Sequence, residues 1–251
     1  MPAKNKNLKI LVSFGVLFLL YHGAEYMIVF QNSVIGFFGF QILFFTAAYV
    51  LGNWYKGNGL TCWGLPFGRK YFKLIPIGIL FGILMYALPY CFSLIAGIEE
   101  ITVFPKWMIL IQSVLPFAFG VLFSSFSEDI LTRGLIYSHF NTRIGTNWLI
   151  LLSALIYLLN HIYRLNDGLE ALLYIFLLGI VLVIPLIFTK NLWLTGSMHW
   201  AGNTFFFATH NVIQTENNNQ FISSNYLFAA FLFLFVPVIW LISRKLGKQK
   251  A

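Results

Sequence analysis

Charge is what this chain has least of. Asp, Glu, Lys and Arg make up 10% of its 251 residues, and only eight residues are acidic. Soluble domains carry about 25% charged residues, so an ordinary water-soluble fold is excluded. Cysteine is nearly absent. Cys62 and Cys91 have no metal-like spacing and support neither a disulfide framework nor a structural zinc site. There is no heptad run, no internal repeat and no His-Glu-x-x-His sequence. The formal charge of +8 forms no basic patch. The Lys and Arg residues lie scattered between apolar stretches, which excludes a nucleic-acid partner and points to a lipid bilayer.

Hydrophobic residues account for 59% of the chain, and several stretches approach the ~20 apolar residues that a membrane-spanning helix needs. The expected fold is all-α: one polytopic transmembrane bundle over residues 1–251, with about eight spans and the motif-bearing core at 112–210. Hydropathy places the spans at Leu8–Phe30, Val34–Tyr55, Leu74–Ala96, Gln112–Phe140, Trp148–Tyr163, Leu169–Phe188, Leu192–His210 and Tyr226–Ser243. Lys4, Lys6, Lys9, Lys56, Arg69, Lys70, Lys73, Arg143, Lys190, Arg244, Lys245, Lys248 and Lys250 then fall on one side, with only Lys106 and Arg164 on the other. By the positive-inside rule both termini are cytoplasmic, which suits a bacterial cytoplasmic membrane. The first apolar run lacks a small-residue cleavage site and is read as a retained helix.

The fourth span carries an anomaly, Glu128-Asp129-Ile130-Leu131-Thr132-Arg133. Three charges at the centre of a membrane helix cost roughly 8 to 10 kcal/mol on an insertion scale, and a dozen apolar neighbours return only ~4 to 7. The charges must face protein and pair. Asp129 lies four residues before Arg133, on one helix face, with Glu128 beside it. The residues alone leave two readings open, a structural ion pair or a functional site.

Other polar residues sit in apolar surroundings. His161 closes Tyr157-Leu158-Leu159-Asn160-His161 in the fifth span, and His199 and Asn203 share a face of the seventh. A lone histidine in a membrane helix is more often interhelical glue. A carboxylate, two imidazoles and an amide on three helices are what a hydrolase needs to activate water and hold an oxyanion. His22 and Glu25 are expected to be a packing pair or a surface-facing turn, and His139 and His210 to be satisfied at headgroup level; Gly78 and Gly82 form a Gly-x-x-x-Gly that is a weak signal for close helix packing.

Glu-Asp-x-x-x-Arg-Gly-Leu at 128–135, Tyr-x-x-x-His at 157–161 and Trp-Leu-x-Gly-Ser-x-x-His-x-x-x-Asn at 193–203 together resemble the CPBP family of intramembrane proteases. That family includes the type II CAAX prenyl endopeptidases and the lysostaphin-resistance-like (Abi) proteins. The resemblance implies an eight-helix intramembrane endopeptidase acting on a membrane-associated or lipid-linked peptide or protein. It implies Glu128 as the base that activates water, His161 and His199 as groups holding the water or the scissile carbonyl, and Asn203 as oxyanion donor. Asp129 and Arg133 would support them, Arg133 as counter-charge. The family usually has Glu where Asp129 stands and Phe where Tyr157 stands. Its metalloprotease label implies zinc as a cofactor, with Glu128, His161 and His199 as candidate ligands. The seventh span lacks a two-ligand zinc helix, so the reading leans towards glutamate-activated water without an obligatory metal.

Two other classes compete. A non-proteolytic scaffold of the same fold, binding an immunity target or a regulator, would have no need of all four polar residues. A proton-relay transporter would show inverted repeats with broken helices, which the sequence lacks.

Overall fold

The computed structural model describes residues 3–219 and 222–248. Lys250 and the side chains of Lys4 and Lys6 lie outside the described residues. The fold is an all-α bundle. In chain order it comprises α1 (Ala3–Val29), α2 (Val34–Lys56), a 3-10 turn (Gly59–Trp63), a short α3 (Arg69–Phe72), α4 (Ile75–Ile95), β1 (Glu99–Val103) and α5 (Trp107–Asp129). A π-helical turn (Ile130–Gly134) joins α5 to α6 (Leu135–Phe140). Then come α7 (Thr146–Asn160), α8 (Leu169–Thr189), α9 (Leu192–Phe206) with a π turn (Phe207–Val212), β2 (Gln214–Asn217) and α10 (Ser224–Lys248).

Local chemistry sets the ends. Ser33 caps α2 by accepting from the Gly36 amide at 3.0 Å, satisfying one of the free N–H groups of the first turn. Gly57, at φ 74°, terminates the same helix, in the left-handed conformation that glycine adopts without strain.

Among the described residues six helical stretches are long and apolar enough to cross a membrane: Asn7–Val29, Val34–Lys56, Arg69–Ile95, Trp107–Phe140, Leu169–Thr189 and Ser224–Lys248. The eight expected segments each hold a helix; α9 runs on through its π turn to Val212, but α7 has only 15 residues. At 1.5 Å per residue a 15-residue helix is about 22 Å long, short of a ~30 Å hydrocarbon core.

Hydrogen bonds show which ends meet. Lys9 near the start of α1 donates to the Trp54 carbonyl late in α2 (2.5 Å), and Lys56 at the end of α2 donates to the Ser138 hydroxyl in α6 (2.9 Å). The Leu192 amide, opening α9, bonds the Gly64 carbonyl (2.7 Å). These contacts gather the basic residues at one end. At the other end β1 pairs antiparallel with β2, tying the α4–α5 connection to the segment after α9. Both strands lie between the spans that hydropathy marks.

Two apolar cores flank the centre. One is built on Phe44, Trp63, Leu131 and Leu135, the other on Met85, Tyr157, Leu182 and Met198. Gly78 and Gly82 do permit close helix packing. A Cβ on Gly78 would meet the Leu194 carbonyl, and one on Gly82 the Met198 carbonyl, so these glycines let α9 lie directly against α4.

Candidate active site

Glu128 and Asp129 are the last two residues of α5, and the π turn follows at once. A π turn shifts the hydrogen-bond ladder by one residue, and such turns occur often at functional sites. Here Thr132 donates from its hydroxyl to the Glu128 carbonyl (2.8 Å), and Ser153 of α7 donates to the Thr132 carbonyl (2.9 Å). The second bond pins α7 to the turn. Gly134 closes it, where any Cβ would strike the Trp63 carbonyl.

The three charges face inward and pair, as the insertion cost requires. Asp129 and Arg133 have 0% side-chain exposure, and Arg133 donates to Asp129 across one turn. The guanidinium lies over the Tyr157 ring, 4.2 Å from its centroid, a cation–π contact strengthened by desolvation. The hydroxyl that distinguishes Tyr157 from the usual Phe leaves this stacking intact. Asp129 also accepts from His199 Nδ1 at 3.2 Å. The shorter Asp side chain therefore still reaches an imidazole from position 129.

Glu128 is the centre on which the other groups converge. Asn160 donates to its Oε1 at 3.1 Å. His161 Nδ1 lies 3.7 Å from Oε1, and His199 Nε2 lies 3.6 Å from Oε2. Both separations exceed a direct hydrogen bond and match the spacing at which a bridging water is to be considered. The expectation that His161 belongs to the fifth helix needs correction. It sits just past Asn160 at φ −81°, ψ 53°, outside helical geometry, with Nδ1 at 2.8 Å from the Tyr157 carbonyl. A carbonyl only accepts, so Nδ1 carries the proton and Nε2 is the acceptor of the neutral ring.

Asn203, one turn beyond His199, makes no contact with Glu128. It lines a cavity of about 180 Å³ together with Tyr157 and His161, walled further by Tyr86, Phe206 and His210. Glu128 and His199 are not among its lining residues, but His161 and Tyr157, which are, neighbour them. The structure thus brings Glu128, His161, His199, Asp129 and Arg133 into one cluster, with Asn203 in the adjoining cavity.

Residues 110–205 match the family model described as Rce1-like, type II CAAX prenyl endopeptidase Rce1-like. The chain is similar to the CPBP/CAAX intramembrane proteases, as its motifs indicated. The matched stretch contains every candidate residue. No curated protein and no solved structure matches the chain. The Rce1-like match and the six long apolar helices make this an integral membrane protein with CAAX-type protease homology.

Whether the cluster could hold the zinc that the family label implies can be tested on donor placement. His161 bonds the Tyr157 carbonyl and His199 the Asp129 carboxylate through Nδ1, which leaves both Nε2 atoms open, so the test rests on whether enough donors converge. Among the described residues no three His, Cys, Asp or Glu side chains are arranged to hold a metal ion. The arrangement does not fit a tetrahedral zinc site, and no step below passes through one.

Sequence reasoning missed Asn160, which stands beside His161 in the quoted motif yet donates a hydrogen bond to the Glu128 carboxylate. It also misplaced two histidines. His139 is buried against the Tyr55 ring, with centroids 4.2 Å apart and Nδ1 on the Leu135 carbonyl. His210 pairs with Glu99 at 3.2 Å. Protein groups take the place of headgroups at both, although Nε2 of His139 is buried without a hydrogen-bond partner. His22 and Glu25 do form the expected pair, at 2.7 Å.

Proposed function

We propose that this protein is an intramembrane endopeptidase that hydrolyses a peptide bond in a membrane-associated or lipid-linked peptide or protein, using water activated by Glu128. The observation that supports it is the convergence of one carboxylate and two imidazoles beside a cavity, lined by Asn203, large enough for part of a peptide. Glu128 takes a proton from a water held between its carboxylate and the acceptor Nε2 of His199. Asp129 accepts from Nδ1 of His199 and keeps that tautomer in place. The water oxygen bonds to the scissile carbonyl carbon. The carbonyl oxygen becomes an oxyanion and accepts from the Asn203 amide. When the C–N bond breaks, the proton held by Glu128 passes to the leaving nitrogen. His161 presents Nε2 on the cavity side, where it orients water or a substrate N–H. The setting we propose is a bacterial cytoplasmic membrane with both chain termini inside.

The test is cleavage of a quenched peptide library by the purified full-length protein, with and without chelator, beside Glu128→Gln. Glu128→Gln should reduce turnover about 10²- to 10⁴-fold, and chelation should leave the wild type active. Undiminished cleavage by Glu128→Gln would remove Glu128 from the role of base. Loss on chelation with recovery on added zinc would overturn the metal-free mechanism.

A further inference from the structure

The basic end of the bundle holds a second, larger cavity, remote from His161 and Asn203. Its volume is about 550 Å³, and it lies between the end of α2, the segment after it, α6 and the α8–α9 junction. Lys56, Lys70 and Lys190 line it, with the hydroxyls of Thr61, Ser138 and Thr189 among them. A neighbouring cavity of about 260 Å³ shares Lys56 and Ser138 and adds Lys9 and Arg143. Five cations therefore surround two adjoining spaces, and no carboxylate lines either one. The chain has eight acidic residues. They lie near the end of α1 (Glu25), in the α5 cluster (Glu128, Asp129), on β1 and β2 (Glu99, Glu100, Glu216) and around the start of α8 (Asp167, Glu170). Among the described residues none of the five cations forms an ion pair.

The geometry is built as well as charged. Lys56 is held by two contacts to Ser138, 2.9 Å to the hydroxyl and 3.3 Å to the carbonyl, which fixes its ammonium on the wall between the two cavities. Lys190 sits at φ 52°, ψ 36°, a left-handed conformation uncommon for a residue with a Cβ, at the sharp turn from α8 into α9. The positive-inside rule accounts for basic residues at this end of the bundle. It does not account for their convergence, with hydroxyls, on a common space. Clefts lined by one sign of charge concentrate counter-ions, and basic pockets between membrane helices take anionic headgroups. One water occupies ~30 Å³ of liquid, so the larger cavity admits far more than a single small anion.

We propose that this cavity binds a phosphate-bearing anion, supplied either by a glycerophospholipid headgroup or by a soluble phosphate ester. The site is independent of the proposed hydrolysis. The test uses the delipidated full-length protein in a neutral detergent, with its melting temperature followed against dioleoylphosphatidylglycerol, dioleoylphosphatidylcholine and glycerol 1-phosphate. Phosphatidylglycerol should raise the melting temperature and phosphatidylcholine should not. A rise with glycerol 1-phosphate as well identifies a soluble source, and a rise with the lipid alone a headgroup. Lys70→Gln/Lys190→Gln should weaken the apparent affinity at least tenfold, while Lys70→Arg/Lys190→Arg, which keeps the charge, should restore it. Arg244→Gln/Lys245→Gln removes two charges from the same end outside the cavity and should leave the response intact. The proposal is overturned if neither phosphate compound shifts the melting temperature. It is equally overturned if the Lys70/Lys190 and Arg244/Lys245 pairs lose the response alike.

Discussion

The Asp129–Arg133 pair offers the sharpest test of how the site is held together. Both side chains have 0% exposure, so each ion has lost its hydration and is compensated mainly by the other. Arg133→Met would leave the Asp129 carboxylate facing only the His199 N–H. Asp129→Asn would leave a guanidinium over Tyr157 whose Nε and Nη2 already lack acceptors. Each single substitution should destabilise the protein by about 3 to 5 kcal/mol, the range for stripping one partner from a buried pair. The double substitution removes both charges and the repulsive remainder. It should recover at least ~2 kcal/mol relative to the sum of the singles, well beyond the ~0.5 kcal/mol within which independent sites add. Reversible denaturant unfolding of the four proteins in detergent measures the coupling. Additivity within that limit would refute the claim that the pair is a closed electrostatic unit. Peptide cleavage supplies a second, separate readout. An Asn at 129 can present either an oxygen or an N–H to His199, so the tautomer is no longer enforced and turnover should fall even where stability returns. A stable double variant with full turnover would leave Asp129 a purely structural partner.

Asn160→Ala removes the one direct hydrogen bond to the Glu128 carboxylate. Since bonds to charged groups are worth about 1.5 to 3 kcal/mol, kcat/KM should drop roughly tenfold or more in the peptide assay; an unchanged value would make Asn160 a bystander. Gly134→Ala places a methyl against the Trp63 carbonyl, and overpacking of this kind costs about 1 to 3 kcal/mol, read as a lower unfolding midpoint, whereas Gly97→Ala tests only backbone strain at φ 66°. Glu99 gives a pH signature. Burial would raise its carboxyl, but His210 and the nearby Ser93 and Ser224 hydroxyls outweigh this and hold it below the ordinary 4.5. The folded state therefore favours the ionised form, a stabilisation that is complete above about pH 4.5 and lost as pH falls through the lower folded value. Melting temperature in Glu99→Gln should fall less steeply below pH 4.5 than in the wild type, and parallel curves would refute the linkage.

What the sequence makes legible here is whatever depends on spacing within one helix. Asp129 and Arg133 pair because they are four residues apart, and that holds even across a π turn. Features that depend on a partner element were hidden. The Gly-x-x-x-Gly at Gly78 and Gly82 announces a close contact but not that α9 makes it. Glu99–Val103 and Gln214–Asn217 have no alternation to announce strands, and each is a strand only because the other is there. The end of α7 was hidden for a different reason. Ile162 and Tyr163 prolong the apolar run, so hydropathy runs past the break at His161, where the ring takes the Tyr157 carbonyl and the backbone leaves helical geometry.

That early stop, with a late start elsewhere, resolves an apparent conflict of depth. Counted as full spans, the segments put Glu128 near mid-membrane, His161 towards one end and His199 towards the other. Rise along each helix gives another answer. Glu128 is twelve residues from Phe140 at the basic end, or about 18 Å at 1.5 Å per residue. Asn160 is fourteen residues from the start of α7 at Thr146, about 21 Å from the same end. α9 begins late: Leu192 bonds Gly64 and packs at Gly134, itself six residues inside Phe140, about 9 Å deep. Seven further residues carry His199 to roughly 19 to 20 Å. The three motifs meet because the segment between α2 and α4 folds inward far enough to seat the start of α9, with Trp63 buried against Gly134. A chain segment that contributes no residue to the proposed site thus sets the level at which that site is assembled.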